Sequence, residues 1–310
     1  MKKTSFKFLI IIKTLIFFGF TSCFAQSETE KALILKSSNL EELKRIESAL
    51  TSESTITNQK ILRLAAENGW QLKKINPDGS FDELVGILPD GSPLYYSIEN
   101  VNAAKSTRAN HLNTGGSLNL NLNGEGLTVG VWDGGPTRIS HQEFGNRMTV
   151  GDGVTTLNGN SFHATHVTGT IGAAGIDLAA KGMAPAINVK TFNWTNDIIE
   201  VVQEAQNGLL LSNHSYGTSV NSISTPWYIG AYSQPSRAWD EIAYAAPYYL
   251  MVASAGNDGN SDNPNPSTFE YDKLNGNKTA KNNLVIANAQ DANVDVNGNL
   301  ISVVINSGSS

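Results

Sequence analysis

From position 124 onward the hydrophobic residues fall in short unbroken runs, not in alternation with polar ones. Leu127-Thr128-Val129-Gly130-Val131-Trp132 is the first, and others lie at 187–192, 209–211, 249–253 and 284–287. Runs of this length suit strands that are covered on both faces. Between them, helical character is found at 163–174, 196–206 and 236–246, and Pro247 closes the last because it cannot continue a helix. Strands alternating with helices predict an α/β fold, a mostly parallel sheet lying between helices. In such a sheet, functional side chains collect where strands end and loops begin.

Before position 110 the pattern changes. Apolar residues at near-helical spacing predict helices over 40–50 and 61–66, with Gly69 breaking the second. Asn76-Pro77-Asp78-Gly79 and Pro89-Asp90-Gly91 are turn signals beside short strands at 84–88 and 94–98. Residues 100–116 are polar and small, as in a linker. The chain thus divides into a small α+β unit at 27–110 and an α/β domain at 115–310.

The first 25 residues stand apart from both. Lys2 and Lys3 precede an apolar stretch at 8–18, and small residues lead to Ala25, which is the layout of a secretory signal peptide. Lys13 breaks the stretch short of the roughly 20 apolar residues that span a bilayer. The expectation is a secreted, periplasmic or cell-surface bacterial protein whose mature chain has no transmembrane helix. Cys23, the one cysteine, ends this segment in Phe20-Thr21-Ser22-Cys23, which loosely resembles a lipidation box, but cleavage after Ala25 is the preferred reading. Either way no internal disulfide forms, and stability comes from packing.

Composition narrows the picture further. The chain has 310 residues, 40% hydrophobic and 16% charged, enough for a sizeable core. A formal net charge of −6 and the lack of a long basic run argue against nucleic acid as a partner.

Candidate chemistry sits at the ends of the buried runs. Asp133 follows the first directly and is followed by Gly134-Gly135, which let backbone come close to it. Asn160-Ser161 precede His163-Ala164-Thr165-His166-Val167-Thr168-Gly169-Thr170 as a helix cap. That helix is a poor isolated former but can pack very closely. His163 and His166 are spaced as metal ligands can be, yet no later cluster completes a site, and no metal ligand is assigned.

These segments together resemble the subtilisin-like serine peptidases. Val129-Gly130-Val131-Trp132-Asp133-Gly134 is similar to the family's aspartate motif, and His163 to Thr170 to its histidine motif. Gly182-Met183-Ala184-Pro185, His214-Ser215-Tyr216-Gly217 and Ala253-Ser254-Ala255-Gly256-Asn257 follow in the family's order. Gly134 and Ala164 are small-for-small departures from the usual wording.

The resemblance implies a three-layer subtilisin-like fold and hydrolysis of polypeptide substrates. His163 would be the general base, Asp133 its orienting partner, and Asn257 the oxyanion donor. Ser215, Tyr216 and Gly217 would bind substrate as an extended strand. No cofactor is required. Calcium, which members often bind, is weighed at 258–262 and 291–297, where side-chain oxygens alternate, although loop and turn roles are preferred there. By position and size, 27–110 matches the pro-segment that blocks the cleft in such enzymes. The family's Gly-Thr-Ser-Met-Ala serine motif has no match. Gly217-Thr218-Ser219 lies too early, inside the pocket segment, so the expectation is a C-terminally incomplete domain that is inactive as it stands. Two alternatives remain: a non-catalytic exported peptide-binding pseudoenzyme, and a metal-dependent hydrolase built on His163 and His166.

Overall fold

The computed structural model describes residues 27–75, 81–88, 91–98, 109–116, 118–177, 180–261, 273–289, 292–295, 299–306 and 308–309. The signal-peptide reading and most of the linker lie outside them.

The described residues begin with two helices, α1 (Glu28–Ser37) and α2 (Leu40–Asn68). The helices read at 40–50 and 61–66 are parts of one 29-residue helix. Its middle, 51–60, is polar and carries no buried residue, so periodicity could not find it. Both ends are well terminated. The Asn39 side chain accepts the Glu42 N–H, and Gly69 closes the far end at φ +69°, a left-handed position suited to glycine. Helix α1, not foreseen, starts with a capping box between Ser27 and Glu30 and buries no residue. Strands β1 (Lys73–Ile75), β2 (Phe81–Ile87) and β3 (Pro93–Ile98) follow as an antiparallel set.

The remaining strands are β4 (Thr128–Asp133), β5 (Met148–Val150), β6 (Asn188–Asn193), β7 (Leu211–His214), β8 (Tyr216–Thr218), β9 (Leu250–Ser254), β10 (Leu284–Ile286) and the hairpin β11 (Asn293–Val294) with β12 (Leu300–Ser302). The helices are α3 (Ser161–Gly172), α4 (Asp197–Gln206) and α5 (Gln234–Ala245). Six strands form a fully parallel sheet in the order β10-β9-β7-β4-β6-β5. Central β4 is buried almost throughout, as its unbroken apolar run requires.

Residues alternate across β4. Val129 and Val131 pack with Val167 of α3, Phe144, Met148 and Val189 on one face. Trp132 packs with Phe192, Trp194 and the buried sides of α4 and α5 on the other. A Cβ on Gly130 would come within 2.4 Å of the Trp132 ring, so the indole lies over a glycine two residues back. Trp132 also stacks on Phe192 (4.2 Å between ring centroids) and on His214 (5.2 Å), its register partners on β6 and β7.

The N-terminal unit docks on this second face. Leu43, Ile46 and Leu50 of α2 share one core with Val201, Val202 and Ala205 of α4 and Ala238 and Ile242 of α5. The Asn39 N–H caps the end of α5 through the Ala245 carbonyl. Strand β3 also pairs antiparallel with β8, making a four-stranded sheet β1-β2-β3-β8 that joins the two units.

Because the core is continuous, the two units are expected to unfold together. Leu43→Ala, at a site with 0% exposure, should remove about 2–5 kcal/mol. Urea unfolding followed by tryptophan fluorescence and far-UV circular dichroism should give one coincident transition that moves as a whole; two separated transitions would refute the shared core. A second expectation concerns His214. Burial holds its imidazole down to about 3, against 6.5 when exposed. The unfolded chain therefore binds a proton below pH 6.5 that the folded chain refuses, and stability is lost as pH falls through that window. His214→Met lacks this loss, so its stability relative to the native chain should rise by about 2.5 kcal/mol between pH 7.5 and 4.5, read from urea midpoints.

Candidate active site

Strand β4 delivers Asp133 to the carboxyl edge of the sheet, where the side chain has no solvent exposure. Burial pushes its carboxyl up, while the hydrogen bond and charge of His163 and the Gly134 N–H pull it back. The Gly134 N–H donates to Oδ1 at 2.7 Å. His163 Nδ1 lies 3.0 Å from Oδ1 and 2.9 Å from Oδ2, so the carboxylate accepts from an Nδ1–H imidazole.

Both glycines after Asp133 are required by contact. A Cβ at Gly134 would sit 2.5 Å from Asn160 Nδ2 and 2.9 Å from the Trp194 ring, and one at Gly135 would sit 2.2 Å from Asn158 Oδ1. The departure at position 134 thus matches a lack of room. Asn160 is the N-cap residue of α3 but its side chain makes no cap bond. The order there comes from Asn158, whose Oδ1 accepts the Asn160 N–H and whose own N–H donates to Ser161 Oγ.

The turn after Asp133 is tied to α3 through threonines. Thr137 Oγ1 meets Thr168 Oγ1 at 2.9 Å and donates to the Ala164 carbonyl at 3.3 Å, and the Arg138 N–H donates to Thr165 Oγ1 at 2.9 Å. At the other end, the N–H groups of Gly182, Met183 and Ala184 donate to the carbonyls of Ala173, Thr170 and Ile171. These would otherwise be the unpaired last carbonyls of α3. A Cβ at Gly182 would lie 2.5 Å from Ala173 N, so this approach needs glycine. A helix of small residues is therefore held by its neighbours.

His163 is 4% exposed, and among the described residues its Nε2 has no hydrogen-bond partner. Strands β9, β7 and β4 are adjacent and parallel, so Asn257, Ser215 and Asp133 all leave the same sheet edge. Gly256, at φ +124°, turns the chain after β9, and Asn257 is exposed. Ser215 Oγ accepts from Asn213 Nδ2. Gly217 lies on β8 opposite Ser97 of β3. Tyr216, also on β8, turns its side chain into the core, where it has 0% exposure. Ser219 follows β8, and its carbonyl accepts from the N–H and hydroxyl of Ser222.

His166 faces outward on the wall of a cavity of about 640 Å³, with Arg138, His141, Phe144, Phe162 and Lys181. Among the described residues no group of three or more His, Cys, Asp or Glu could hold a metal ion. Asp258 Oδ2 accepts the Val220 N–H, and both oxygens of Asp295 accept from Asn299. Residues 262, 291 and 296–298 of those two loops lie outside the described ones. Sequence reasoning missed Thr137 and Thr168, because each acts through contacts made only on folding.

A family model described as Peptidase S8, subtilase family, matches residues 119–304. No curated protein sequence matches. Among solved structures, a mutant of the protease domain of PatA aligns at 17% identity over 61% of this chain and 63% of that one, TM-score 0.44. A cold-adapted subtilisin-like serine proteinase aligns at 20% over 61% and 72%, TM-score 0.34. MycP3 protease from a type VII (ESX-3) secretion system aligns at 18% over 66% and 64%, TM-score 0.40. The chain thus spans less than two thirds of the PatA domain and of MycP3. The family match covers more than half of the residues and contains Asp133, His163 and Asn257: the chain belongs to the subtilase family of peptidases.

Proposed function

We propose that this chain supplies the aspartate–histidine half of a serine endopeptidase that cleaves polypeptides by an acyl-enzyme route. The observation that carries the reading is the buried Asp133–His163 pair with Nε2 left unbonded among the described residues. An imidazole oriented through Nδ1 keeps Nε2 unprotonated, as needed to take a proton from a hydroxyl and return it to the leaving amine. Asp133 holds that tautomer and stabilises the imidazolium. Asn257 donates its amide to the oxyanion, a contribution of about 2.7–4 kcal/mol, a scale that itself comes from this family. The nucleophile is a serine hydroxyl from outside residues 1–310.

Substrate binds as an extended strand on the edge of β8. Support comes from β3, which already pairs there antiparallel, with Ile98, Ser97 and Tyr96 opposite Tyr216, Gly217 and Thr218. The unit at 27–110 is accordingly proposed to act as an intramolecular inhibitor, and residues 1–25 to direct export. The chemistry uses no cofactor.

The decisive comparison is peptide turnover by chain 1–310 and by the chain lengthened through the continuation of its own coding sequence. The short form should be inactive and indifferent to Ser219→Ala. The long form should turn over and lose about 10⁶-fold in kcat with His163→Ala and about 10⁴-fold with Asp133→Ala, scales known from a member of this family. Ser219-dependent cleavage by the short form would overturn the assignment of the nucleophile. Peptide binding without turnover by the long form would instead favour the non-catalytic reading.

A further inference from the structure

Behind the substrate edge lies a buried polar chain that the proposed chemistry does not use. Tyr216 Oη donates to Asp197 Oδ2 at 2.6 Å. It also lies 3.0 Å from His214 Nδ1, and His214 Nε2 lies 2.8 Å from Ser212 Oγ. Ser212, His214 and Tyr216 alternate along β7 and into β8, with exposures of 1%, 0% and 0%, so all three point to the same covered face. Trp194 meets the Tyr216 ring edge-on at 5.5 Å, and Trp132 and Trp239 enclose His214.

The protons in this chain can run only one way. The ionised Asp197 accepts, so Tyr216 donates its single proton to it. Tyr216 oxygen then accepts from His214, which must carry its proton on Nδ1, and the free Nε2 accepts from the Ser212 hydroxyl. The direction is set at Asp197, the first residue of α4, whose Oδ1 also accepts the Ile198 N–H at 2.7 Å.

We propose that Asp197 and His214 are positioning residues for substrate: through Tyr216 they lock β8 at the height and register in which its edge receives an extended peptide. Side chains 212, 214 and 216 face inward, so the strand's lateral N–H and C=O groups are the ones left to pair with an incoming strand, as they do with β3. A tyrosine anchored at its hydroxyl cannot let β8 tilt without leaving two buried partners unpaired, at about 1–3 kcal/mol each. The substrate part of this inference rests on the peptidase reading; the hydrogen-bond chain does not.

The first test uses chain 1–310 with ¹⁵N-labelled histidine at pH 8, where Asp197, raised by burial to about 6, is ionised. The resonances that vanish in His214→Met should be those of a neutral, Nδ1-protonated ring. In Asp197→Asn the amide oxygen must keep the Ile198 N–H, so the NH₂ faces Tyr216 and the chain reverses. His214 should then switch to the Nε2-protonated form, a change that loss of packing would not produce. An Nε2-protonated ring in the native chain, or no switch in the variant, would overturn the proposal. The second test is Tyr216→Phe, which should speed hydrogen exchange at the amides of 216–218 at least tenfold relative to those of β4 and β9. Equal acceleration across the sheet, or none, would count against positioning. In the serine-bearing long form the same substitution should raise KM for extended peptides more than it lowers kcat, and the reverse split would sink the substrate role. If that form shows no turnover, the peptidase reading fails while the exchange and tautomer results still decide the device.

Discussion

A carboxylate withdrawn from water stays ionised only where donors surround it, and Asp133 imposes that constraint on everything near it. Its donors are a backbone N–H from Gly134 and the imidazole of His163. The first requires a turn so tight that no side chain fits at 134 or 135. The second requires a helix held in place against that carboxylate. The threonine contacts from the 137–138 turn and the three N–H groups of 182–184 meet that demand from opposite ends of α3. The weak intrinsic helicity of α3 is the counterpart of this arrangement, since larger residues would favour the helix and prevent the approach.

The other face of the sheet works by size instead. Phe192, Trp132, His214 and Trp239 form a column behind the strand ends, and α2, α4 and α5 close over it. Because side chains alternate along a strand, Trp132 and His214 fill this column while the residues that follow them, Asp133 and Ser215, are turned to the opposite face. The N-terminal unit enters the same core through Leu43, Ile46 and Leu50, and its Glu83 carboxylate accepts the Trp194 indole N–H. Its attachment combines apolar burial at α2, polar contacts that include those at Trp194 and at the end of α5, and backbone pairing at β8, and these point to one docked geometry.

Much of this was legible in the residues. Short apolar runs predicted the parallel sheet, Gly69 and Pro247 marked helix ends, and five motifs in order located Asp133 and His163, whose contact the structure contains. The failures were physical in kind. The polar middle of α2 has no apolar period to detect, and the Asn160 side chain makes no cap bond to α3, while Asn158 accepts the Asn160 N–H.

Local patterning determined which segments become strands and helices and which side chains stand at strand ends, because those depend on neighbours a few residues apart. Tertiary structure alone decided that β8 pairs with β3, that Tyr216 turns inward to Asp197, and that position 134 has no space for a side chain. Each of these joins residues distant in sequence, whose meeting depends on burial and close packing across the whole domain, which a single linear pattern does not encode.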